Sequence, residues 1–105
     1  MSLFIYGIAA SRTSRPLWMA EELGLDYTVV ATPYQGGATH TPEFLALNPN
    51  GHIPVLDDNG LIVWESMACS LHLALTYGPV LNNAERAEAL RWSFWAVTEI
   101  EKDAL

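Results

Sequence analysis

The chain has 105 residues, half of them apolar, with twelve acidic and five basic side chains and a net charge of −7. This composition suits one small domain with a core and argues against disorder. The acidic balance argues against a nucleic-acid partner, because a phosphate backbone needs a basic face.

Membrane insertion and secretion are not expected either. No apolar run approaches the roughly 18 residues of a membrane span, and the N-terminus lacks the basic flank of a secretory signal. The single cysteine, Cys69, excludes an internal disulfide and a cysteine-based metal cluster. The three histidines lack metal-ligand spacing, so no metal is predicted. We therefore expect a cytoplasmic protein.

The first third of the chain predicts a strand, a helix and a strand. Leu3–Tyr6 is short and apolar and ends at Gly7, as in a buried strand. Ser14 is the predicted N-cap of the helix, and Gly24 suits the position just past its end. Residues 27–31 contain three successive β-branched residues and predict the second strand. Such a unit has a right-handed crossover and parallel strands.

The next two thirds of the predicted domain complete a mixed sheet. Residues 32–52 read as loop, with one helical turn at 43–47. Two short apolar runs then flank Asn59-Gly60, a strong hairpin signal, before apolar residues at helical spacing over 66–77. The order β-α-β, loop, β-β-α is the thioredoxin-like arrangement of the α/β class, with a mixed four-stranded sheet. We assign this domain to residues 1–78.

The remaining residues predict a linker at 79–82 and a long helix over 83–105. Leu90, Phe94 and Val97 form an apolar stripe on this helix, with Trp92 and Trp95 beside it. A helix with so much apolar surface needs a partner to cover it.

The chain resembles the glutathione transferase family over nearly its full length, through segments in the family's order: SRTSR, LWMAEELGLDY, THTPEFLALNP and NPNGHIPVLDDNGLIVWES. Family members are longer and carry an all-helical domain after the thioredoxin-like one. The resemblance implies that residues 83–105 are the first helix of such a domain, here truncated. We interpret the chain as a fragment or an unusually short member.

The resemblance also implies a cis peptide bond between Ile53 and Pro54. The Ile53 backbone groups would then face a cleft and pair with an extended peptide as a short added strand. Glutathione is such a peptide. A turn at the strand edge with no ligand is the alternative interpretation of the same residues.

The two ends of glutathione have implied partners as well. Ser66 opens a helix, whose unpaired N–H groups and partial positive charge suit the γ-glutamyl carboxylate. Glu65 would pair with the ligand's ammonium group. His40 lies where the family often places a basic residue near the glycyl carboxylate, and His52 stands where lysine is usual. Ser66 could equally be a simple N-cap, and both roles can hold at once.

The implied catalytic residue is Ser11. Ser11 and Ser14 have the spacing of a Cys-x-x-Cys redox pair with both sulfurs replaced by hydroxyls, which excludes disulfide chemistry there. The resemblance to serine-type transferases implies that Ser11 donates a hydrogen bond to the glutathione sulfur and favours its thiolate. The alternative is that Ser11 is an ordinary polar residue of the loop with no catalytic role. Tyr6 is the rival catalytic residue, although it fits better as core or cleft wall.

The implied function is conjugation of glutathione, as co-substrate, to a hydrophobic electrophile, as in detoxification. The family also implies a homodimer. The electrophile cannot be identified, because the helical domain forms most of its site. The alternative is a non-catalytic interaction module for other proteins on the same fold. Ser11, Ile53-Pro54 and Glu65-Ser66 occurring together favour the enzyme.

Overall fold

The structure, a computed structural model, describes residues 2–100. Its strands are β1 (Leu3–Gly7), β2 (Thr28–Ala31), β3 (Val55–Asp58) and β4 (Leu61–Trp64). Its helices are α1 (Ser14–Glu22), α2 (Pro42–Leu47), α3 (Ser66–Tyr77) and α4 (Asn83–Trp95). A 3₁₀ turn covers Ala38–His40, and a π-helical turn covers Ala96–Ile100.

The four strands form one mixed sheet in the order β2-β1-β3-β4. β1 pairs in parallel with β2 and antiparallel with β3, and β3 pairs antiparallel with β4. Asn59 and Gly60 both have positive φ, 53° and 93°, as a two-residue type I′ turn requires. The predicted thioredoxin-like α/β fold and its Asn-Gly hairpin are confirmed.

The two faces of the sheet are covered by different helices. Successive residues of a strand point to opposite faces, and on one face the sheet packs against α1 and α3. The buried cluster there contains Leu3, Ile5, Ala20, Leu56, Cys69 and Leu73. On the other face Phe44 of α2 is buried and packs edge-on against Tyr6. Burying each large side chain contributes roughly 1.5–3 kcal/mol.

The end of α1 follows the prediction, whereas its beginning differs from it. Gly24 has φ 66°, its N–H donates to Glu21 at 3.1 Å, and the Leu25 N–H donates to Ala20 at 3.0 Å. This pair of bonds is a Schellman motif. Ser14 is not the N-cap: it is the first helical residue. The N-cap is Thr13, whose side chain makes no capping bond.

The loop over residues 32–52 contains more structure than its sequence predicted. The 3₁₀ turn was not predicted, and α2 begins one residue before the predicted helical turn. Thr41 caps α2, because its Oγ1 accepts the Phe44 N–H at 3.2 Å, and Pro42 occupies the first helical position.

The last helix begins as the sequence indicates and leaves its apolar side chains uncovered. Asn82 and Glu85 form a capping box, with reciprocal hydrogen bonds of 2.8 and 3.0 Å. No residue of α4, all of which lies in the described range, is buried. The predicted segment continues to 105, and residues 101–105 lie outside the described residues. The division at residues 79–82 stays a prediction.

Asp58 links the end of β3 to the C-terminal half of α3 through hydrogen bonds. Its buried carboxylate accepts hydrogen bonds from Tyr77 Oη at 2.6 Å, His72 Nε2 at 2.8 Å and Asn59 Nδ2 at 3.0 Å. Burial alone raises the pKa of Asp58, but the three hydrogen bonds and the attraction of His72 outweigh it, so the pKa is lowered. The hydrogen bond to Asp58 raises the pKa of Tyr77.

We expect Asp58→Asn to lower the free energy of unfolding by about 2 kcal/mol at pH 7, because charge-assisted hydrogen bonds are lost. A carboxyl group whose pKa is lowered by folding stabilises the protein above its unfolded pKa. This contribution is lost as pH falls through the folded pKa, so the variant and the parent should converge at acidic pH. Urea unfolding at several pH values measures this, with exposed Asp26→Asn as the control. Equal losses in both variants would contradict the role of Asp58.

Candidate functional site

The segment before β3 is held in shape by a buried asparagine. Asn48, only 2% exposed, donates from Nδ2 to the His52 carbonyl at 2.9 Å. Its Oδ1 accepts from the backbone N–H and the side chain of Asn50, both at 3.0 Å. The Ile53–Pro54 bond that follows is cis, as the resemblance implied. Sequence analysis missed the role of Asn48, although asparagine in a Pro- and Gly-rich turn is a signal of such local bonding.

Gly51 brings this segment against the 3₁₀ turn. Its φ is 66°, and a Cβ atom there would lie 3.0 Å from His40 Nε2 and 3.2 Å from the Thr39 carbonyl. Thr39 is buried, and its Oγ1 lies 3.1 Å from His40 Nδ1. The His40 ring is thus held between its neighbour and the Gly51 backbone.

The loop after β1 is positioned by a contact between Gly7 and Thr13. Gly7 has φ 151°, and a Cβ atom there would lie 2.0 Å from Thr13 Oγ1. Thr13 is fully buried, so its side chain occupies the space that a larger residue at position 7 would need. This close approach fixes the start of α1 against the end of β1.

The Ser11 hydroxyl is already engaged within this loop. It donates to the Ile8 carbonyl at 2.6 Å, accepts the Thr13 N–H at 3.1 Å and lies 2.9 Å from Thr13 Oγ1. A hydroxyl has a single proton. Donation to a ligand would therefore require the Ser11 proton to turn away from the Ile8 carbonyl.

The start of α3 combines an unusual backbone conformation with a buried hydroxyl. Glu65 has φ 78° and ψ 120°, a region that favours glycine. Ser66 follows as the first helical residue, is 6% exposed, and its Oγ accepts a hydrogen bond from Arg15 Nη1 at 2.8 Å. Sequence analysis missed this bond, which joins residues far apart in the chain.

One cleft of about 380 Å³ brings these segments together. Seven of its lining residues are those that the sequence singled out: Ser11, His40, His52, Ile53, Pro54, Glu65 and Ser66. Arg12, Tyr34, Thr39 and Gly51 line it too and were not predicted. Arg12 could have been found from its place beside Ser11, whereas Tyr34 and Thr39 lie in a loop without a periodic pattern.

Tyr6 lies apart from this cleft. Its ring packs edge-to-face on Phe44, with 6.4 Å between ring centroids and an interplanar angle of 73°. It is half-buried on the α2 side of the sheet and is not among the residues that line the cleft.

A second, mainly apolar cavity of about 770 Å³ adjoins the cleft. It lies between α3 and the last helical segment, and Arg12, Glu65 and Ser66 line both spaces. The apolar part of its wall is formed by Met67, Ala68, Leu71, Leu75, Leu90, Phe94 and Val97. We call this space the apolar cavity.

Within residues 2–100, no group of three or more His, Cys, Asp and Glu side chains is arranged to hold a metal ion. Cys69 is fully buried, and burial raises the pKa of its thiol to about 12, so it is a poor nucleophile. None of the helices in the same range has the length and apolar character needed to cross a membrane.

A βαβ-ββα domain with a mixed sheet and a cis-proline loop beside a helix N-terminus has the thioredoxin-like fold. Residues 1–75 match the family model described as "Glutathione S-transferase, N-terminal domain". The chain therefore belongs to the glutathione S-transferase family.

Known relatives and solved structures agree with this assignment. Glutathione S-transferase GstB of Escherichia coli is 39% identical over 93 residues, which cover 83% of this chain and 45% of the relative. Protein URE2 of Eremothecium gossypii is 39% identical over 85 residues, covering 70% of this chain and 24% of that protein.

The solved structure of a theta-class glutathione S-transferase from Xanthomonas axonopodis pv. citri, with glutathione bound, superimposes with a TM-score of 0.82 at 38% identity. The match covers 93% of this chain and 49% of that one. The chain thus spans about half the length of the transferases it matches.

Proposed function

We propose that this chain binds glutathione in the cleft and contributes to its conjugation to hydrophobic electrophiles. The observation that carries the proposal is that seven predicted residues, from four separate segments, line one cleft. A module that only binds other proteins would have less reason to gather these groups. The glutathione bound to the Xanthomonas relative supports the same ligand class.

The chemistry of the cleft suggests the orientation of the tripeptide. The α3 N-terminus and the Ser66 hydroxyl would bind the γ-glutamyl carboxylate, and Glu65 its ammonium group. The Ile53 backbone would pair with the cysteinyl residue as an added strand. His40 and His52 would donate hydrogen bonds to the glycyl carboxylate. This orientation sends the thiol towards Ser11.

Ser11 would act on the protonation state of the thiol. A free thiol has a pKa of roughly 8.5, and lowering it by about two requires about 2.7 kcal/mol. A thiolate carries a full charge and is a stronger acceptor than the neutral Ile8 carbonyl that Ser11 contacts now at 2.6 Å. The hydroxyl proton would therefore turn to the sulfur once the thiolate forms.

The apolar cavity is the natural place for the second substrate. It adjoins the cleft, and its wall supplies apolar side chains from α3 and α4 for a hydrophobic electrophile.

No metal takes part in this scheme. The reducing cytoplasm, where glutathione keeps thiols reduced, is the compartment that suits it, and neither nucleic acid nor membrane is a partner.

The exposed face of α4 supports the proposal that the chain is a homodimer. Trp92 and Trp95 pack edge-to-face at 5.3 Å and remain 53% and 45% exposed. Burying such aromatic surface between two copies would contribute several kcal/mol, at roughly 25 cal/mol per Å². A two-fold contact would bring the same face of both copies together.

Glutathione binding is the direct test of the proposed function. Millimolar glutathione should shift the amide NMR signals of Ser11, Ile53 and Ser66 and leave those of the hairpin residues Asn59 and Gly60 in place. Calorimetric titration supplies the affinity. Unmoved signals at all three cleft residues would reject the glutathione site and favour the interaction module.

Ser11→Ala should raise the pKa of the bound glutathione thiol by about 1–2, because a hydrogen bond to a charged acceptor is worth roughly 1.5–3 kcal/mol. Affinity for the protonated thiol form should change little, since the hydroxyl prefers the charged form. The ultraviolet absorbance of the thiolate, followed against pH, measures the effect. A change in Tyr6→Phe without one in Ser11→Ala would transfer the catalytic role to Tyr6.

The homodimer predicts that sedimentation at micromolar concentration gives a mass above the 11.6 kDa of one chain. Trp92→Glu should shift the population towards the monomer, because a charge at the contact must be desolvated. Trp18→Glu is the matched control, since Trp18 lies on α1 and is 71% exposed. A clean monomer with solvent-exposed tryptophans would contradict the proposal.

A further inference from the structure

Arg12 lies at the boundary between the cleft and the apolar cavity. It directly follows Ser11, and both residues line the cleft, but of the two only Arg12 also lines the apolar cavity. Arg12 is exposed, and it lines a third, more open space beside Tyr34 as well. Arg12 therefore lies where a substrate in the apolar cavity would meet a thiol placed near Ser11.

The apolar cavity combines its apolar wall with an excess of positive charge. Among the described residues, its ionisable lining consists of Arg12, Arg15, Glu65 and His72. With His72 neutral, two guanidinium groups and one carboxylate leave a net charge of +1, whereas the whole chain carries −7. Two of the five basic side chains of an acidic protein thus line one cavity, which favours a substrate with an anionic group.

The two arginines of the apolar cavity differ in their surroundings. Arg15 is half-buried, and its Nη1 donates to Ser66 Oγ at 2.8 Å, so this guanidinium is tied to the start of α3. Arg12 is exposed. The planar fork of a guanidinium matches the two oxygens of a carboxylate, and beside an apolar wall its attraction for an anion is screened less than in bulk water. Arg12 is therefore the residue better suited to bind an anionic substrate group.

We propose that Arg12 selects hydrophobic electrophiles that carry a carboxylate. Arg12 would bind the carboxylate, and the apolar part of the electrophile would lie in the apolar cavity. The inference rests on the proposed function and adds a substrate class to it. Electrophiles of the same shape with a neutral group in place of the carboxylate should bind less well.

Calorimetry with two glutathione conjugates of matched shape tests the inference. One carries a para-carboxybenzyl group on sulfur, and the other carries a para-carbamoylbenzyl group, in which a neutral amide replaces the carboxylate. Both would hold glutathione in the cleft and extend the aromatic group into the apolar cavity. The parent chain should bind the carboxylate conjugate about fivefold to tenfold more tightly, as one partly exposed charge-assisted contact predicts. This preference should shrink as the salt concentration rises.

Substitution of Arg12 assigns the preference to this residue. Arg12→Met should abolish it and leave the affinity for the amide conjugate nearly unchanged. Arg12→Lys should keep part of it, because an ammonium group attracts a carboxylate without the bidentate fork. Arg86→Met is the control for the loss of one positive charge, since Arg86 is exposed on α4 and lines neither space.

Three results would overturn the inference and leave the proposed function intact. Equal affinity of the parent chain for both conjugates is the first, and it does not depend on the folding of any variant. Equal weakening of both conjugates in Arg12→Met is the second, because Arg12 would then bind the glutathione portion. A preference lost in Arg15→Met and kept in Arg12→Met is the third. If the parent chain binds neither conjugate nor glutathione, the proposed function fails and this inference fails with it.

Discussion

The contact between Gly7 and Thr13 is the constraint on which the arrangement of the cleft depends. The chain must leave the end of β1 and enter α1 within a few residues, and the Thr13 side chain fills the place of a Cβ atom at position 7. This approach holds the intervening loop against the sheet, so that Ser11 faces the cleft. It also fixes the direction of α1 and carries Arg15, two residues further on, to the start of α3.

The order of the strands explains why four distant segments meet. β1 and β3 are neighbours in the middle of the sheet and run antiparallel, with Tyr6 opposite Val55. The end of β1 therefore lies beside the beginning of β3, where the cis-proline loop arrives. β4 returns antiparallel to β3 and leads at the same edge into α3. Loops at one edge of a rigid sheet can thus supply all the groups of a peptide site.

Local sequence signals predicted the helices and strands. They could not predict the hydrogen bonds between side chains of different helices and strands. Asn59-Gly60 requires positive φ at both positions, and Gly24 ends a helix, so each sequence signal carries its own geometry. The Arg15–Ser66 bond has no such signal, because its partners belong to different elements and leave no periodicity. The N-cap of α1 was predicted at the wrong residue for a related reason. The Thr13 side chain packs against Gly7 and contacts the Ser11 hydroxyl, and local sequence patterns do not reveal these contacts.

Glu65 has a backbone conformation that its residue type disfavours, and it lies in the wall of the cleft. A glycine would adopt its φ of 78° at little cost, whereas a residue with a side chain pays of order 1–3 kcal/mol for such a conformation. The neighbouring structure must supply that energy, and the partly buried hydrogen bond from Arg15 to Ser66 stabilises the turn at the following residue. Glycine at this position would relieve the backbone and remove a carboxylate from the cleft wall. A strained acid beside a helix N-terminus suits the proposed ligand, which has an ammonium group beside its carboxylate.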